Sequence, residues 1–344
     1  MSQDALVNRE WVLTSRPSTL VGPENFAFES RDVPALEDGQ MLVRCLYFSM
    51  DPTQRGWLHE EDNYVEPVQI GAPMRAGGIG QVVESRLDGF APGDLVNGTL
   101  TWGDYAVVDG NGFVPPRKID QSVPLTWHMS AFGITTLTAY FGMLHVAELK
   151  EGDTVLISGA AGATGSAAVQ IARAKGAAKI IGIAGGADKC AWLTAEGGCD
   201  HAIDYKSDDI AAKLSELAPD GIDVFYDNTG GPALDAALIN MAEGARLAIC
   251  GGISSGYNSW TVEDGPTNYM YLILKGARMQ GFLVLHYMEQ FPAAIQDIAG
   301  WIQSGKLKPH ETVIEGLEKA PETLQGLFTG LNRGKLILKV ADPA

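Results

Sequence analysis

Residues Ser158–Gly165 read Ser-Gly-Ala-Ala-Gly-Ala-Thr-Gly, placing glycines at 159, 162 and 165. An apolar run, Thr154–Ser158, precedes this turn, and a helix-forming stretch, Ser166–Lys175, follows it. Small residues let a pyrophosphate approach the backbone, and a helix start offers unpaired N–H groups and a positive dipole end. The chemistry this pattern can do is dinucleotide binding. Glycine turns also arise for packing alone, but here a strand precedes, a helix follows, and a second strand comes about 20 residues on.

The tip of that second strand selects the cofactor. Sites for NAD usually place an acid there against the ribose 2′-hydroxyl. Lys179–Ala184 instead runs into Gly185-Gly186 with no acid, and Lys189 follows. A lysine near the tip can neutralise a 2′-phosphate as a point charge. The expected cofactor is NADP(H). Lys189 could equally be an ordinary surface lysine, and Asp188 beside it opposes an anion.

Hydride chemistry needs a group to stabilise the oxygen that gains charge, either a metal or a hydrogen-bond donor. The four cysteines, Cys45, Cys190, Cys199 and Cys250, form no CxxC pair. His59-Glu60-Glu61 is not an HExxH motif, so His59 reads as a loop histidine and no metal is expected.

These groups must be positioned by elements that the chain spells out. From residue 129 onward short apolar runs alternate with helix-like segments: Thr154–Ser158, Lys179–Ala184, His201–Asp204, Ile222–Asp227 and Ala245–Cys250, with helices between, including Asp188–Glu196 and Asp208–Leu217. That alternation predicts a parallel sheet covered on both faces. Residues 1–125 are instead rich in short β-branched and aromatic runs, such as Met41–Ser49 and Ile79–Ser85, with glycine turns between. The tail closes on a strand at Lys335–Val340. The expected class is α/β: a Rossmann cofactor unit at 129–305 and a β-rich unit at 1–128 and 306–344.

A chain of 344 residues exceeds the size at which one core usually stops growing, roughly 250–300 residues, which suits two units. Its net charge is −17 with no basic run, which argues against nucleic acid and anionic membranes as partners. The N-terminal stretch lacks a signal-peptide pattern, and no apolar run is long enough to span a bilayer. With no disulfide framework, a cytoplasmic location is expected.

Several segments together resemble the zinc-independent medium-chain dehydrogenase/reductases. The likeness is greatest to the alkenal/one oxidoreductase branch, which includes prostaglandin, alkenal double-bond and curcumin reductases. They are Trp11–Pro17 (WVLTSRP), Leu46–Gly56 (LYFSMDPTQRG), Ser158–Ala172, Tyr226–Gly231 (YDNTGG), Cys250–Asn258 (CGGISSGYN) and Asn332–Lys335 (NRGK). The resemblance spans nearly the whole chain and implies a GroES-like fold for the β-rich unit.

The resemblance implies pyrophosphate contacts at Gly162, Ala163 and Thr164, and 2′-phosphate contacts at Lys189 and Tyr205. It places Asn228, Cys250, Gly251, Ile253, Ser254 and Tyr257 along the cofactor. Phe282, Leu283 and Val284 would meet the nicotinamide amide through their backbone, and Asn332 would reach back from the tail. Four have a plainer reading: Cys250 as a small buried residue, Tyr205 as a surface tyrosine, Asn228 as a turn, Phe282 as core. The loop 251–258 is one residue longer than the usual family form, and Thr53 and Gln54 stand where relatives often carry an aromatic and a methionine.

The implied reaction is reduction of the carbon–carbon double bond of an α,β-unsaturated ketone or aldehyde. Hydride goes to the β-carbon, an enolate is stabilised and a proton goes to the α-carbon. Tyr257 is the first candidate for the proton donor and Tyr64 the second, since tyrosine is a neutral donor at pH 7. Met50, Trp57 and Tyr64 are candidate pocket residues. The alternatives are a quinone reductase of the same superfamily and a non-catalytic NADP-binding sensor. Relatives are commonly dimers, so a homodimer is expected.

Overall fold

The computed structural model describes residues 6–60, 65–257 and 265–344. Among them, six strands form one wholly parallel sheet in the order His201–Asp204, Lys179–Ala184, Thr154–Ile157, Ile222–Asp227, Met241–Ile249, Arg278–Gly281. Side-chain alternation along one short strand decides its two faces. Val155 and Ile157 enter a core with the helices Ile134–Phe141, Ala163–Ala174 and Phe291–Gln303. Leu156 enters the opposite core, with Ile181, Phe225 and the helices Ile210–Leu217 and Gly231–Ile239. Each fully buried aliphatic side chain contributes about 1.5–3 kcal/mol, so both faces are strongly held.

Connections leave Thr154–Ile157 in one direction, and from Ile222–Asp227 the chain builds in the other. The order therefore reverses between these two strands, and their carboxyl ends open a crevice suited to ligands. The glycine turn sits at that reversal.

A second sheet has the order Glu311–Glu315, Lys335–Lys339, Met41–Met50, Arg75–Ser85, Leu95–Thr101, Arg117–Lys118, with Tyr105–Val108 also pairing with Met41–Met50. An antiparallel pair, Val7–Leu13 with Phe26–Asp32, packs beside it. This is the β-rich unit the sequence predicts, with one addition. Glu311–Glu315 and Lys335–Lys339 pair in parallel across the helix Ala320–Thr329, a small right-sized crossover in an otherwise antiparallel sheet.

Some expected boundaries move. The helix after the glycine turn begins at Ala163 rather than Ser166, because extended Gly162 already serves as its N-cap. The helix expected over Asp188–Glu196 covers Ala187–Trp192, and a wider turn over Leu193–Gly197 ends on left-handed Gly198. No helix among the described residues is long and apolar enough to cross a membrane.

Candidate functional site

The turn between Ile157 and the helix Ala163–Ala174 is built so that its backbone is bare. Gly159 takes a left-handed φ of 57°, and its carbonyl accepts from the Gly162 amide at 2.9 Å. Gly165 lies so close to Gly159 O and Ala160 Cα that no Cβ fits, which brings helix and strand together. Gly162, Ala163 and Thr164 thus present the first turn of a long helix to the crevice. The amides of Ala163 and Thr164 lack intrahelical acceptors and suit a pyrophosphate, while that of Gly162 is taken by Gly159 O.

The strand ends beside this turn are tied by Asp227. One carboxylate oxygen accepts from Ser158 Oγ (2.7 Å) and from the amides of Thr229 and Gly230 (2.9 Å each). Its other oxygen is buried and has no partner among the described residues. Burial pushes the carboxyl above the usual range, with the hydrogen bonds pulling the other way. Asn228 is held in turn: its amide donates to Ser158 Oγ at 2.8 Å and its Nδ2 to Ser158 O at 2.7 Å.

The loop after Ile249 folds back over these groups. The amides of Cys250 and Gly251 donate to Asp227 O, and that of Ser254 to Thr229 O. Burial pushes the Cys250 thiol up to about 12, so it stays protonated and inert, beside the Tyr226 hydroxyl. Ile253 stands in the short helical turn Ile253–Ser255. Tyr257 has a left-handed φ of 52°, unusual for a bulky residue. Its hydroxyl accepts from the Gly252 amide at 3.2 Å, and a Cβ at Gly251 would fall 2.7 Å from that oxygen. The bare glycines give the phenol its place.

The Tyr257 carbonyl lies 3.0 Å from Nε2 of His59, which itself lies 2.6 Å from Nη1 of Arg55. Nε2 faces a donor and an acceptor, so its tautomer decides which contact is a hydrogen bond. Arg55 is fully buried, and its guanidinium also donates to Pro17 O and Thr19 O. Burial pushes it down to about 10. Sequence reasoning treated His59 as a loop histidine; the fold places it against the Tyr257 loop. Only its distant partner could have revealed this.

At the second strand tip, a Cβ on Gly185 would lie 2.7 Å from the Tyr205 ring, so only a glycine lets the exposed tyrosine lie against the strand tip. Gly185, Gly186, Ala187, Asp188 and Lys189 line a cleft of about 370 Å³ together with Gly330, Leu331 and Arg333. Burial lowers the Lys189 pKa, and the charges of Lys206 and Arg333 lower it further. In a chain of net charge −17, three cations converge here without a carboxylate paired to Lys189 or Arg333 among the described residues. This donor set fits the 2′-phosphate of NADP(H), as the bare turn fits its pyrophosphate. Arg333 comes from the far end of the sequence, and local reasoning did not find it.

Asn332 is buried, and its Nδ2 donates to Gly334 O at 2.6 Å. The Gly334 amide donates to Ala161 O at 2.8 Å, so the tail touches the glycine turn itself. Next in sequence, buried Lys335 donates to Met50 O (2.8 Å) and Asp51 Oδ1 (2.6 Å). Met50 is buried in the β-rich core and meets this network through its backbone. Trp57 is also buried, edge-on to Phe113 and under the Arg75 guanidinium, and its indole N–H has no partner among the described residues. Phe282, Leu283 and Val284 follow the edge strand Arg278–Gly281; Phe282 packs edge-on to Tyr226. Tyr64 lies outside the described residues. Among the described residues no group of three or more His, Cys, Asp or Glu is arranged to hold a metal ion.

Residues 9–115 match a family model described as the N-terminal domain of oxidoreductase, and residues 163–300 one described as zinc-binding dehydrogenase. The chain is 37% identical to the NADPH-dependent curcumin reductase of Escherichia coli (strain K12), covering 99% of each. It is 38% identical to the NADP(+)-dependent 2-alkenal reductase of Nicotiana tabacum, covering 88% of this chain and 87% of the relative. The crystal structure of CurA from Vibrio vulnificus in complex with NADPH superposes with a TM-score of 0.89 at 36% identity, covering 97% and 100%. The chain belongs to the zinc-independent branch of the medium-chain dehydrogenase/reductases. As a member of this branch it is an NADP-dependent oxidoreductase. The reductase fold accounts for both sheets: the parallel one is its Rossmann unit and the mixed one its β-rich unit.

Proposed function

We propose that this reductase saturates the carbon–carbon double bond of α,β-unsaturated ketones and aldehydes. When bound, NADPH supplies the hydride. Residues 129–305, with Asn332 and Arg333 reaching over from the tail, hold the cofactor, and residues 1–128 with 306–344 otherwise hold the substrate. The observation that carries the reading is the Tyr257 phenol, fixed by the Gly252 amide at the mouth of the crevice. A hydroxyl that accepts a backbone N–H is polarised toward donating its own proton. Such a neutral donor can meet the carbonyl oxygen as enolate charge grows, or return a proton to the α-carbon. The names of the curcumin and alkenal reductases among the relatives support the same class.

Two features support a homodimer in this reading. Tyr269, Met270, Ile273 and Leu274 are 53–73% exposed. They adjoin Arg278–Gly281, the last strand of the parallel sheet. An apolar patch beside a sheet edge is the kind of surface that a second copy covers.

The reaction is tested by following NADPH consumption with an enone, an enal and a benzoquinone, using cofactor deuterated at the transferring position. Deuterium on the β-carbon of a saturated ketone is expected. Turnover of the quinone alone, or an allylic alcohol as product, would overturn the proposal. Absence of turnover with every acceptor, alongside tight NADPH binding, would favour the sensor.

A further inference from the structure

We propose that Arg333 is a specificity-determining residue that grips the 2′-phosphate from the opposite side to Lys189, so that the phosphate fastens the tail segment 332–335 onto the cofactor unit. The inference rests on placing the 2′-phosphate beside Lys189 and Tyr205, and goes beyond the reaction proposed above.

Three observations carry it. Arg333 and Lys189 line one cleft, and glycines 185, 186 and 330 leave its lining short of side chains. A Cβ on Gly330 would sit 3.6 Å from Lys189 Nζ, so the two segments are in contact range across the cleft. Second, the Arg333 backbone is pinned on both sides by one hydroxyl: its amide donates to Thr312 Oγ1 (3.1 Å), and Thr312 Oγ1 donates to its carbonyl (2.8 Å). With Gly334 bound to Ala161, the backbone that carries the guanidinium is fixed relative to the phosphate turn. Third, Lys189, Arg333 and Lys206 come together on a strongly acidic chain, against one lining carboxylate, Asp188, and burial, then Lys206 and Arg333, disfavour the charge of Lys189. A dianion between these groups would turn mutual repulsion into attraction.

The chemistry separates two cofactor halves. A guanidinium at the phosphate recognises only the phosphorylated ribose, and Arg presents a planar fork that Lys lacks. Arg333 should therefore discriminate between 2′,5′-ADP and 5′-AMP, which share every other group. Because Arg333 rides on the tail, binding of the phosphate should also slow opening of the Gly334–Ala161 bridge.

The test measures binding of 2′,5′-ADP and 5′-AMP by calorimetry to the full chain, and amide exchange at Gly334. Arg333→Leu should weaken 2′,5′-ADP about 10–100-fold, leave 5′-AMP within about twofold, and abolish the extra protection of Gly334 by 2′,5′-ADP. Arg333→Lys should retain part of the discrimination. Equal loss for both nucleotides, or no loss for either, would overturn the role of Arg333. Lys189→Ala separates the premise: unchanged 2′,5′-ADP binding in that variant would remove the phosphate from this cleft altogether. Loss in Lys189→Ala beside a silent Arg333→Leu would keep the site and reject the second grip.

Discussion

The amide of Gly334 donates to the carbonyl of Ala161 at 2.8 Å, so the tail of the chain completes the turn that opens the cofactor helix. One residue on, Lys335 Nζ reaches Met50 O and Asp51 Oδ1. Two adjacent residues therefore link the glycine turn to the segment that follows the central β strand of the other sheet.

Lys335 lies 2% exposed, and Asp51 also contacts Ser49 Oγ. Lys335→Met keeps the volume and strands the carboxylate, which should cost about 3 kcal/mol. For a chain of this size that lowers Tm by several degrees. Adding Asp51→Asn should recover part of the loss, since no unpaired charge then remains. Additive losses in a double-mutant cycle read by thermal unfolding would show that the pair is not coupled.

Tyr257→Phe removes the hydroxyl that accepts from Gly252 and leaves the ring. The expected result is a fall in kcat of about 10²–10⁴-fold with the NADPH Kd changed much less, and loss of any alkaline limb in the kcat profile that the phenol supplies. Full kcat with an unaltered pH profile would reject Tyr257 as donor.

Lys189 carries a lowered pKa because burial, then Lys206 and Arg333, disfavour its charge. A phosphate monoester gains its second charge near pH ~6. NADPH affinity should rise as pH passes through that value, hold, and fall again below the pH at which an ordinary lysine deprotonates. NADH affinity should stay flat. In the ligand-free protein the sign reverses: unfolded chain binds more protons in that alkaline window, so this lysine's contribution to stability improves as pH rises. Fluorescence titrations with both cofactors across pH check the first, and chemical denaturation the second.

If Ile273 and Leu274, each 73% exposed, meet a second copy, then Ile273→Asp with Leu274→Asp should halve the mass measured by light scattering. NADPH binding should persist, since neither residue lines the cleft beside Lys189. A monomeric parent protein would remove the proposal.

What could be read from sequence was local. The run Thr154–Ser158 and the glycines after it announce strand, turn and helix because each signal lies within a few residues of the next. The missing acid after Ala184 is equally local. Arg333, His59 and the Gly334–Ala161 bridge were not legible, because each gains meaning only from a partner on another element. The parallel pair near the tail was half hidden for a different reason. Glu311–Glu315 is only partly buried, so its sequence lacks the apolar run that marked Lys335–Val340. Tyr257 illustrates a third limit, since nothing in its neighbours except Gly256 signals a left-handed backbone.

The pairing of Lys335–Lys339 with Met41–Met50 also sets an order of events during synthesis. The cofactor unit can condense once its own strands have left the ribosome. The β-rich sheet keeps its central strand short of one neighbour until Lys335–Lys339 has been made. Segment 332–335 arrives with that strand, so the sheet and the cleft beside Lys189 are completed in one step.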